Sequence, residues 1–237
     1  MILLRMPSAS QETLPFLGRL ADETGHRICT VSSDAIPQAD AGDHARLLVS
    51  RERCEAIGLH CTHDFEQRNR DYVVYLAARE YPSERYFWFL EAGVRIGQPD
   101  LHAFFSRFEG ADDVDLIAGR YRVADRGWNW TRSMTAERHE KVWRCEFGVT
   151  RLSRTAADVL LRERQRDRHH VLRRARWPND ECFVPTVLER AGLHCADLND
   201  FGAPLFDAIS FDAPRPVIHP VARKGSFWFG SRRSSST

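Results

Sequence analysis

The clearest chemical signal in this sequence is an acidic residue placed directly after a run of large apolar side chains. Residues 86–90 read Tyr-Phe-Trp-Phe-Leu, a continuous apolar run typical of a central strand covered on both faces. Glu91 follows at once, and Arg95 comes four residues later. Ligands of open α/β sheets bind beyond the carboxyl ends of the strands, so this turn is a candidate binding site. The same rule points to Asp34, which follows a predicted strand over residues 27–33.

Two adjacent carboxylates, Asp180 and Glu181, stand at the start of a helix predicted over residues 180–191. Pro185 fits the first turn of a helix, which favours a start nearer Phe183. A glutamate at a helix start can accept a proton from a hydroxyl group as a general base. The two carboxylates could equally serve only to complement the positive end of the helix dipole. The residues alone leave both interpretations open.

Around the first signal, Trp88, Glu91, Val94 and Arg95 resemble the strand and acidic turn of GT-A glycosyltransferases. The similarity is strongest to a bacterial set with a pattern close to W-[FIV]-[IVL]-E-x-D-V-R. Gly93 stands where that pattern has its second acid. Because a divalent cation needs several oxygen ligands, a metal site here would need other side chains or the donor phosphates to complete it.

Two further segments extend the resemblance over residues 71–224. In the first, Cys182 replaces a Val of the late-helix pattern x-E-V-x-x-P-T-x-L-x-x-x-G-L. The second, His219-Pro220-Val221 followed by Lys224, is similar to a His-Pro-Val-(x)-Lys ending with the lysine delayed. The residues that fit the late-helix pattern are Glu181, Pro185, Thr186, Leu188, Gly192 and Leu193.

The resemblance implies a three-layer, GT-A-like (Rossmann-like) α/β fold, with a mixed sheet flanked by helices. It implies transfer of a sugar from a nucleotide-diphosphate sugar to a carbohydrate or lipid-linked acceptor. Glu181 and Asp180 would be catalytic, and Glu91 would bind Mn²⁺ or Mg²⁺. Trp128 and Trp130 would contact the acceptor, with core packing as the competing interpretation. The donor-binding residues that it implies are Asp34, Asp71, Arg95, His219 and Lys224, and a structural role for the histidine stays open.

The order of the predicted elements favours the same architecture, because helices alternate with short buried strands. One domain is expected over residues 1–224, with a disordered polar tail over residues 225–237. The predicted helices cover residues 11–24, 65–80, 101–108, 153–161 and 180–191, and the predicted strands cover residues 27–33, 86–90, 115–118 and 142–150.

Composition narrows the class of protein. The 237 residues are 43% apolar and carry a net charge of +1, which argues against general nucleic-acid binding. The six cysteines include no CxxC pair, so we expect reduced thiols in a cytoplasmic protein. No stretch approaches the ~18 apolar residues of a membrane span, although peripheral contact with the inner membrane is compatible with the sequence.

Two alternatives to a working enzyme remain. A relative that binds a sugar nucleotide or a partner without catalysis would also account for Gly93. The basic run at residues 162–176 could bind nucleic acid, an anionic membrane surface or acidic acceptor glycans, or form a solvated helix face or an ordinary loop. We predict no zinc site from four further side chains of metal-ligand type, whose spacing fits no familiar zinc module: Cys54, His60, Cys61 and His63.

Overall fold

The computed structural model describes most of the chain. The described residues are 1–6, 13–33, 43–91, 94–96, 101–125, 127–134, 141–169, 176–202 and 218–220. The described residues do not include Asp34, Gly93, Lys224 or the tail at 225–237. The backbones of Arg95 and His219 are described, but their side chains are not. Within the described segments no helix is long and apolar enough to cross a membrane.

Seven strands form one mixed sheet. In chain order the strands are β1 (Ile2–Arg5), β2 (Ile28–Ser32), β3 (Ala45–Leu48), β4 (Tyr86–Leu90), β5 (Val94–Ile96), β6 (Leu116–Val123), β7 (Trp143–Ser153), β8 (Cys195–Asp197) and β9 (Ile218–Pro220). The order across the sheet is β3-β2-β1-β4-β7-β6-β8, and β5 pairs separately with β9. The first four strands of that order are parallel, whereas β7 is antiparallel to both β4 and β6. The predicted mixed sheet is confirmed.

Helices cover both faces of the sheet. They are α1 (Thr13–Thr24), α2 (Arg51–Ala56), α3 (Phe65–Arg68), α4 (Asp71–Glu80), α5 (Leu101–Ser106), α6 (Thr131–Met134), α7 (Arg154–Asp167) and α8 (Asp180–Arg190), with a 3₁₀ turn at Leu198–Phe201. Apolar residues of α1 and α5 join one hydrophobic cluster. Those of α4, α7 and α8 join the other. This arrangement confirms the predicted three layers.

β4 separates the two clusters because successive side chains of a strand point to opposite faces. Phe87 and Phe89 belong to the cluster under α4, α7 and α8. Trp88 and Leu90 belong to the cluster under α1 and α5. All four side chains are at most 4% exposed, as the continuous apolar run predicts.

The sequence pattern missed several strands, and β1 is the one that matters for the site. Its apolar residues Ile2, Leu3 and Leu4 are at most 1% exposed, although the run is too short to identify as a strand by periodicity. β1 lies between β2 and β4 and is parallel to both. It therefore brings Arg5, its last residue, to the edge where β4 ends.

The helix predicted over residues 65–80 is two helices, α3 and α4, interrupted at Asn69 and Arg70. The Asn69 side-chain amide donates a hydrogen bond to the Pro178 carbonyl (3.0 Å), and the Arg70 backbone N–H donates to Asp180 (2.9 Å). These contacts with a distant segment replace continuation of the helix. The break positions Arg70 at the site described below.

The predicted start of α8 near Phe183 is wrong, because the helix begins at Asp180 and Pro185 lies inside it. The Asn179 side chain accepts a hydrogen bond from the Cys182 backbone N–H, which caps the first turn. The Ser153 hydroxyl caps α7, because it accepts a hydrogen bond from the backbone N–H of the third helical residue. α7 continues to Asp167, into the basic run.

Candidate functional site

Arg5 and Glu91 form an ion pair at the carboxyl edge of the parallel strands. β1 and β4 are paired in register, Leu4 opposite Leu90, so the residues that follow lie side by side. The Arg5 guanidinium Nη1 is 3.3 Å from Glu91 Oε1 and 3.2 Å from Oε2. Both side chains are mostly buried. The candidate metal ligand is therefore already bonded to a cation.

Arg70 joins the two acidic motifs. Its guanidinium donates to Asp180 through Nε (2.8 Å) and Nη2 (3.0 Å), and Nη2 also donates to Glu181 Oε1 (3.1 Å). Its Nη1 lies 3.7 Å from Glu91 Oε2. Burial disfavours the charged guanidinium, but the three carboxylates, Asp180 foremost, raise the pKa of Arg70 above its usual value. The strand-end acid and the late-helix acids, distant in sequence, thus meet at one cation.

Glu181 and Asp180 have different environments. The Glu181 side chain is 30% exposed, with one oxygen bonded to Arg70. Burial, and then the Asp180 charge, raise the pKa of Glu181, with Arg70 opposing them. A carboxylate with a raised pKa is a stronger base. The Asp180 side chain is only 1% exposed and both its oxygens accept from Arg70, so it positions Arg70 and does not reach a substrate.

The structure contradicts the expected donor contact of Asp71. Its side chain is fully buried, and Oδ2 accepts hydrogen bonds from Arg164 Nε (2.9 Å) and the Tyr75 hydroxyl (2.6 Å). The Arg164 guanidinium lies 3.7 Å from the centre of the Phe183 ring. Asp71 and Arg164 are therefore a buried ion pair beneath α8, and this arginine of the basic run serves the core.

The described residues do not fit a Mg²⁺ or Mn²⁺ ion. Both oxygens of Glu91 accept from Arg5, and Arg70 adds a second cation nearby. No three His, Cys, Asp or Glu residues of the described chain are grouped so that they could hold a metal. Divalent cations of this kind prefer several oxygen ligands with uncompensated charge. The charge-neutralising groups at this sheet edge are guanidinium groups.

A pocket with a volume of about 90 Å³ adjoins the ion cluster and opens to solvent. This volume is smaller than the roughly 300–1,000 Å³ usual for sites that enclose a small molecule, so the pocket would hold only part of a nucleotide. Apolar walls come from the strand ends and from α3 and α4: Val31, Val49, Phe65 and Val73. Polar groups come from the ends of β1 and β2, from α3 and from the break between α3 and α4: Arg5, Ser32, Ser33, Glu66, Gln67, Asn69 and Arg70. The pocket can bind a partly apolar, anionic ligand.

Sequence analysis missed Arg5 and Arg70. A strand ending in Arg5 is faintly visible as the apolar run Ile2–Leu4, which precedes a basic residue just as residues 86–90 precede Glu91. The residues around Arg70 do not indicate that it belongs to the site, because its position depends on hydrogen bonds to Asp180 that interrupt the helix.

Two of the expected donor-binding positions are neighbours in the second, smaller sheet. β5 and β9 are antiparallel, with Arg95 directly opposite His219. The Val94 backbone N–H donates to the Glu91 carbonyl (3.1 Å), which places β5 immediately after the acidic turn. The turn and the His-Pro segment are therefore in contact through their backbones.

The two candidate acceptor tryptophans are half-buried and contact arginines. The Arg144 guanidinium lies 4.7 Å from the centre of the Trp128 ring, and the Arg68 guanidinium lies 4.6 Å from that of Trp130. Both rings also pack against the hydrophobic cluster under α4, α7 and α8. Trp130 in addition lines a second open pocket.

No protein-family model matches this chain, and no curated protein matches it. Solved glycosyltransferase structures do resemble it. One, involved in glycosylation of the major capsid of PBCV-1, has 12% identity and a TM-score of 0.45, covering 83% of this chain and 80% of that chain. Mouse xyloside xylosyltransferase 1 has 10% identity and a TM-score of 0.47, covering 83% of each. Core-mannan synthase A from Aspergillus fumigatus, in a Mn/GDP form, has 9% identity and a TM-score of 0.46, covering 84% and 72%. Because these TM-scores are below 0.5, the similarity carries no argument about function, and the function proposed below is argued from the residues of this chain.

Proposed function

We propose that this chain is a glycosyltransferase-like protein that binds a nucleotide sugar at the carboxyl edge of its sheet. The observation that carries the proposal is the junction of the two acidic motifs at Arg70, which contacts Glu91, Asp180 and Glu181. These motifs are the ones that resemble GT-A glycosyltransferases in sequence. The two motifs lie together beside an open pocket, and this supports the proposal that they form one binding site.

The donor nucleotide would occupy the pocket at the ends of β1 and β2. Val31, Val49 and Phe65 offer an apolar surface to a base, and Ser32 and Ser33 offer hydroxyl groups to a ribose. The diphosphate would lie against the two arginines of this pocket. A guanidinium carries five N–H donors, so each arginine can hold Glu91 and a phosphate oxygen together. Asp34, Arg95, His219 and Lys224 are the further donor contacts that we propose from sequence.

Glu181 is the proposed general base. An acceptor hydroxyl loses its proton to Glu181 as its oxygen bonds to the anomeric carbon of the donor sugar. The bond between that carbon and the diphosphate oxygen breaks, and the nucleoside diphosphate leaves with the bonding electrons. Arg5 and Arg70 would stabilise the developing phosphate charge. The acceptor is a glycan or a lipid-linked sugar, and the latter would bring the protein to a membrane surface.

Isothermal titration of the full chain with UDP, GDP and CMP, in EDTA and then in Mn²⁺, tests the donor site. We expect one nucleotide to bind in EDTA, because arginines supply the positive charge. Arg70→Ala should weaken that binding roughly tenfold or more, as expected for a charge-assisted contact. Arg85→Ala, at a 73% exposed side chain remote from the pocket, is the control. Binding of no nucleotide would overturn the proposal.

A non-catalytic relative is the second candidate, and one observation favours it: Arg5 and Arg70 occupy the carboxylate that should hold the metal. Such a protein would bind the nucleotide sugar without releasing nucleoside diphosphate from it. Gly93→Asp, which restores the second acid of the sequence pattern, should then create Mn²⁺-dependent release. Release by the unaltered chain would exclude this candidate.

A further inference from the structure

A second open pocket, of about 260 Å³, lies beside Trp130. Three separate segments of the chain build it, around residues 62–68, 129–133 and 176–177. None of its lining residues lines the nucleotide pocket. The groups that give it its chemistry are Arg68, Asn129, Trp130, Arg132, Arg176 and Trp177.

The pocket is lined by three arginines. Arg68 is held in place by Asp64 (3.4 Å) and by the carbonyl of Trp177 (2.8 Å). Arg132 and Arg176 are exposed, and no carboxylate of the described residues forms an ion pair with either. Two exposed guanidinium groups in one concave site favour an anionic ligand.

The remaining walls combine aromatic and polar groups. Trp177 is 3% exposed, and its indole N–H donates to the Tyr72 hydroxyl (2.9 Å). The half-buried ring of Trp130 packs against the hydrophobic cluster with Arg68 stacked over it, so only its remaining exposed part lines the pocket. Asn129 adds a side-chain amide to the lining. An aromatic surface next to amide and guanidinium donors can take both the faces and the hydroxyl groups of a sugar.

The pocket lies beside the first turn of α8, which also carries the proposed catalytic base. The Ser133 hydroxyl, in the pocket wall, lies 3.5 Å from the Cys182 thiol, and Cys182 follows Glu181 directly in α8. Arg68 lines this pocket, and Arg70, two residues later, lines the nucleotide pocket. A ligand in this pocket is thus bound next to the segment that carries Glu181 and Arg70.

We propose that this pocket binds an acidic sugar of the acceptor, with the sugar ring at Trp130 and its anionic group at Arg132 and Arg176. The proposal rests on the proposed function and names the acceptor class for it. The recognised chemistry is an anionic group on a sugar ring, either the carboxylate of a uronic acid or a sugar phosphate.

The test is isothermal titration of the full chain with glucuronic acid, glucose 6-phosphate, glucose and inorganic phosphate. We expect at least one acidic sugar to bind and glucose to bind at least tenfold more weakly. Tighter binding of glucuronic acid assigns a carboxylate, and tighter binding of glucose 6-phosphate assigns a phosphate. Equal binding of glucose, or inorganic phosphate binding as well as the acidic sugar, would overturn the proposal.

Substitutions locate the binding. Arg132→Ala and Arg176→Ala should each weaken acidic-sugar binding roughly tenfold or more. Both side chains are exposed, so the variants should fold. Arg162→Ala removes the same charge from an exposed position outside the pocket and should change nothing. Unchanged binding in the Arg132→Ala/Arg176→Ala double variant would contradict this location.

Nucleotide titration of the same variants separates the two proposals. Retained nucleotide binding with lost acidic-sugar binding supports both. Nucleotide binding by a chain that binds no acidic sugar overturns the acceptor pocket alone. Acidic-sugar binding at Arg132 and Arg176 by a chain that binds no nucleotide overturns the donor site alone.

Discussion

Arg70 and Asp180 are joined by three hydrogen bonds, although they lie 110 residues apart in the chain. The Arg70 backbone N–H and Nε both donate to Oδ2, and Nη2 donates to Oδ1. This carboxylate thereby fixes the break between α3 and α4 to the first turn of α8. Asp180 orients the Arg70 guanidinium toward Glu91 and Glu181, because Arg70 lies between two helices and belongs to neither.

Replacing Asp180 with Asn should therefore destabilise the protein and misplace Arg70. The side chain is 1% exposed, so the substitution leaves a buried cation without its main partner. We expect the free energy of unfolding in urea to fall by about 3 kcal/mol. Nucleotide affinity should fall as well, because Arg70 loses its orientation. Asp158→Asn, at an exposed position on α7, is the matched control. An unchanged free energy of unfolding for Asp180→Asn would contradict this role.

Glu181→Gln tests the proposed base. We expect nucleoside diphosphate release from the sugar nucleotide to slow roughly 10²- to 10⁴-fold, with nucleotide binding retained. The rate of the unaltered protein should also decline as the pH falls through the pKa of Glu181, because only the carboxylate accepts a proton. Burial and the Asp180 charge raise that pKa, so the decline should lie above the usual pKa of glutamate, about 4.3.

Rate measurements from about pH 4 to about pH 8 on both proteins check this expectation. The Glu181→Gln variant should lack the acidic decline. A pH profile that is the same in both proteins would show that another group accepts the proton.

Arg164→Met should destabilise the protein because it leaves Asp71 buried without its cation. The ion pair has no exposed atoms, with both side chains at 0% exposure. The expected loss of unfolding free energy is about 3–5 kcal/mol. Arg162→Ala, two residues away in the same basic run but exposed, should change it by less than about 0.5 kcal/mol. If the two substitutions lowered the free energy of unfolding in urea equally, the buried ion pair of Arg164 would not contribute to stability as expected.

The sequence was sufficient to predict the layers because they depend on periodicity. The apolar run at β4, and the alternation of helices with strands, identified the sheet and the edge to which Glu91 belongs. The pairing of Glu91 with Arg5 was not predictable in the same way. It requires β1, whose three apolar residues give no periodic signal, to lie beside β4.

The burial of Asp71 and of Asp180 could not be predicted from the sequence, because it depends on partners far along the chain. Asp71 was interpreted as a donor contact, but Arg164, 93 residues later, holds it in the core. Asp180 and Glu181 are adjacent and alike in sequence, yet the first turn of α8 buries one and leaves the other half-exposed. Only the packing of α8 against the break at Arg70 separates their roles.

Glu91→Gln decides whether Glu91 serves the donor as a metal ligand or as a partner of arginines. The Glu91 carboxylate already neutralises part of the positive charge of Arg5 and Arg70, which weakens their attraction for a phosphate. A neutral amide of the same shape removes the competing charge, so the affinity for a nucleoside diphosphate should rise by roughly 3- to 10-fold in EDTA. Loss of a metal ligand would have the opposite sign, with weaker binding that appears only in Mn²⁺. Parallel titrations of Glu91→Gln and the unaltered chain, each in EDTA and in Mn²⁺, measure the sign directly. Glu109→Gln, at an exposed residue, is the control for the change in net charge.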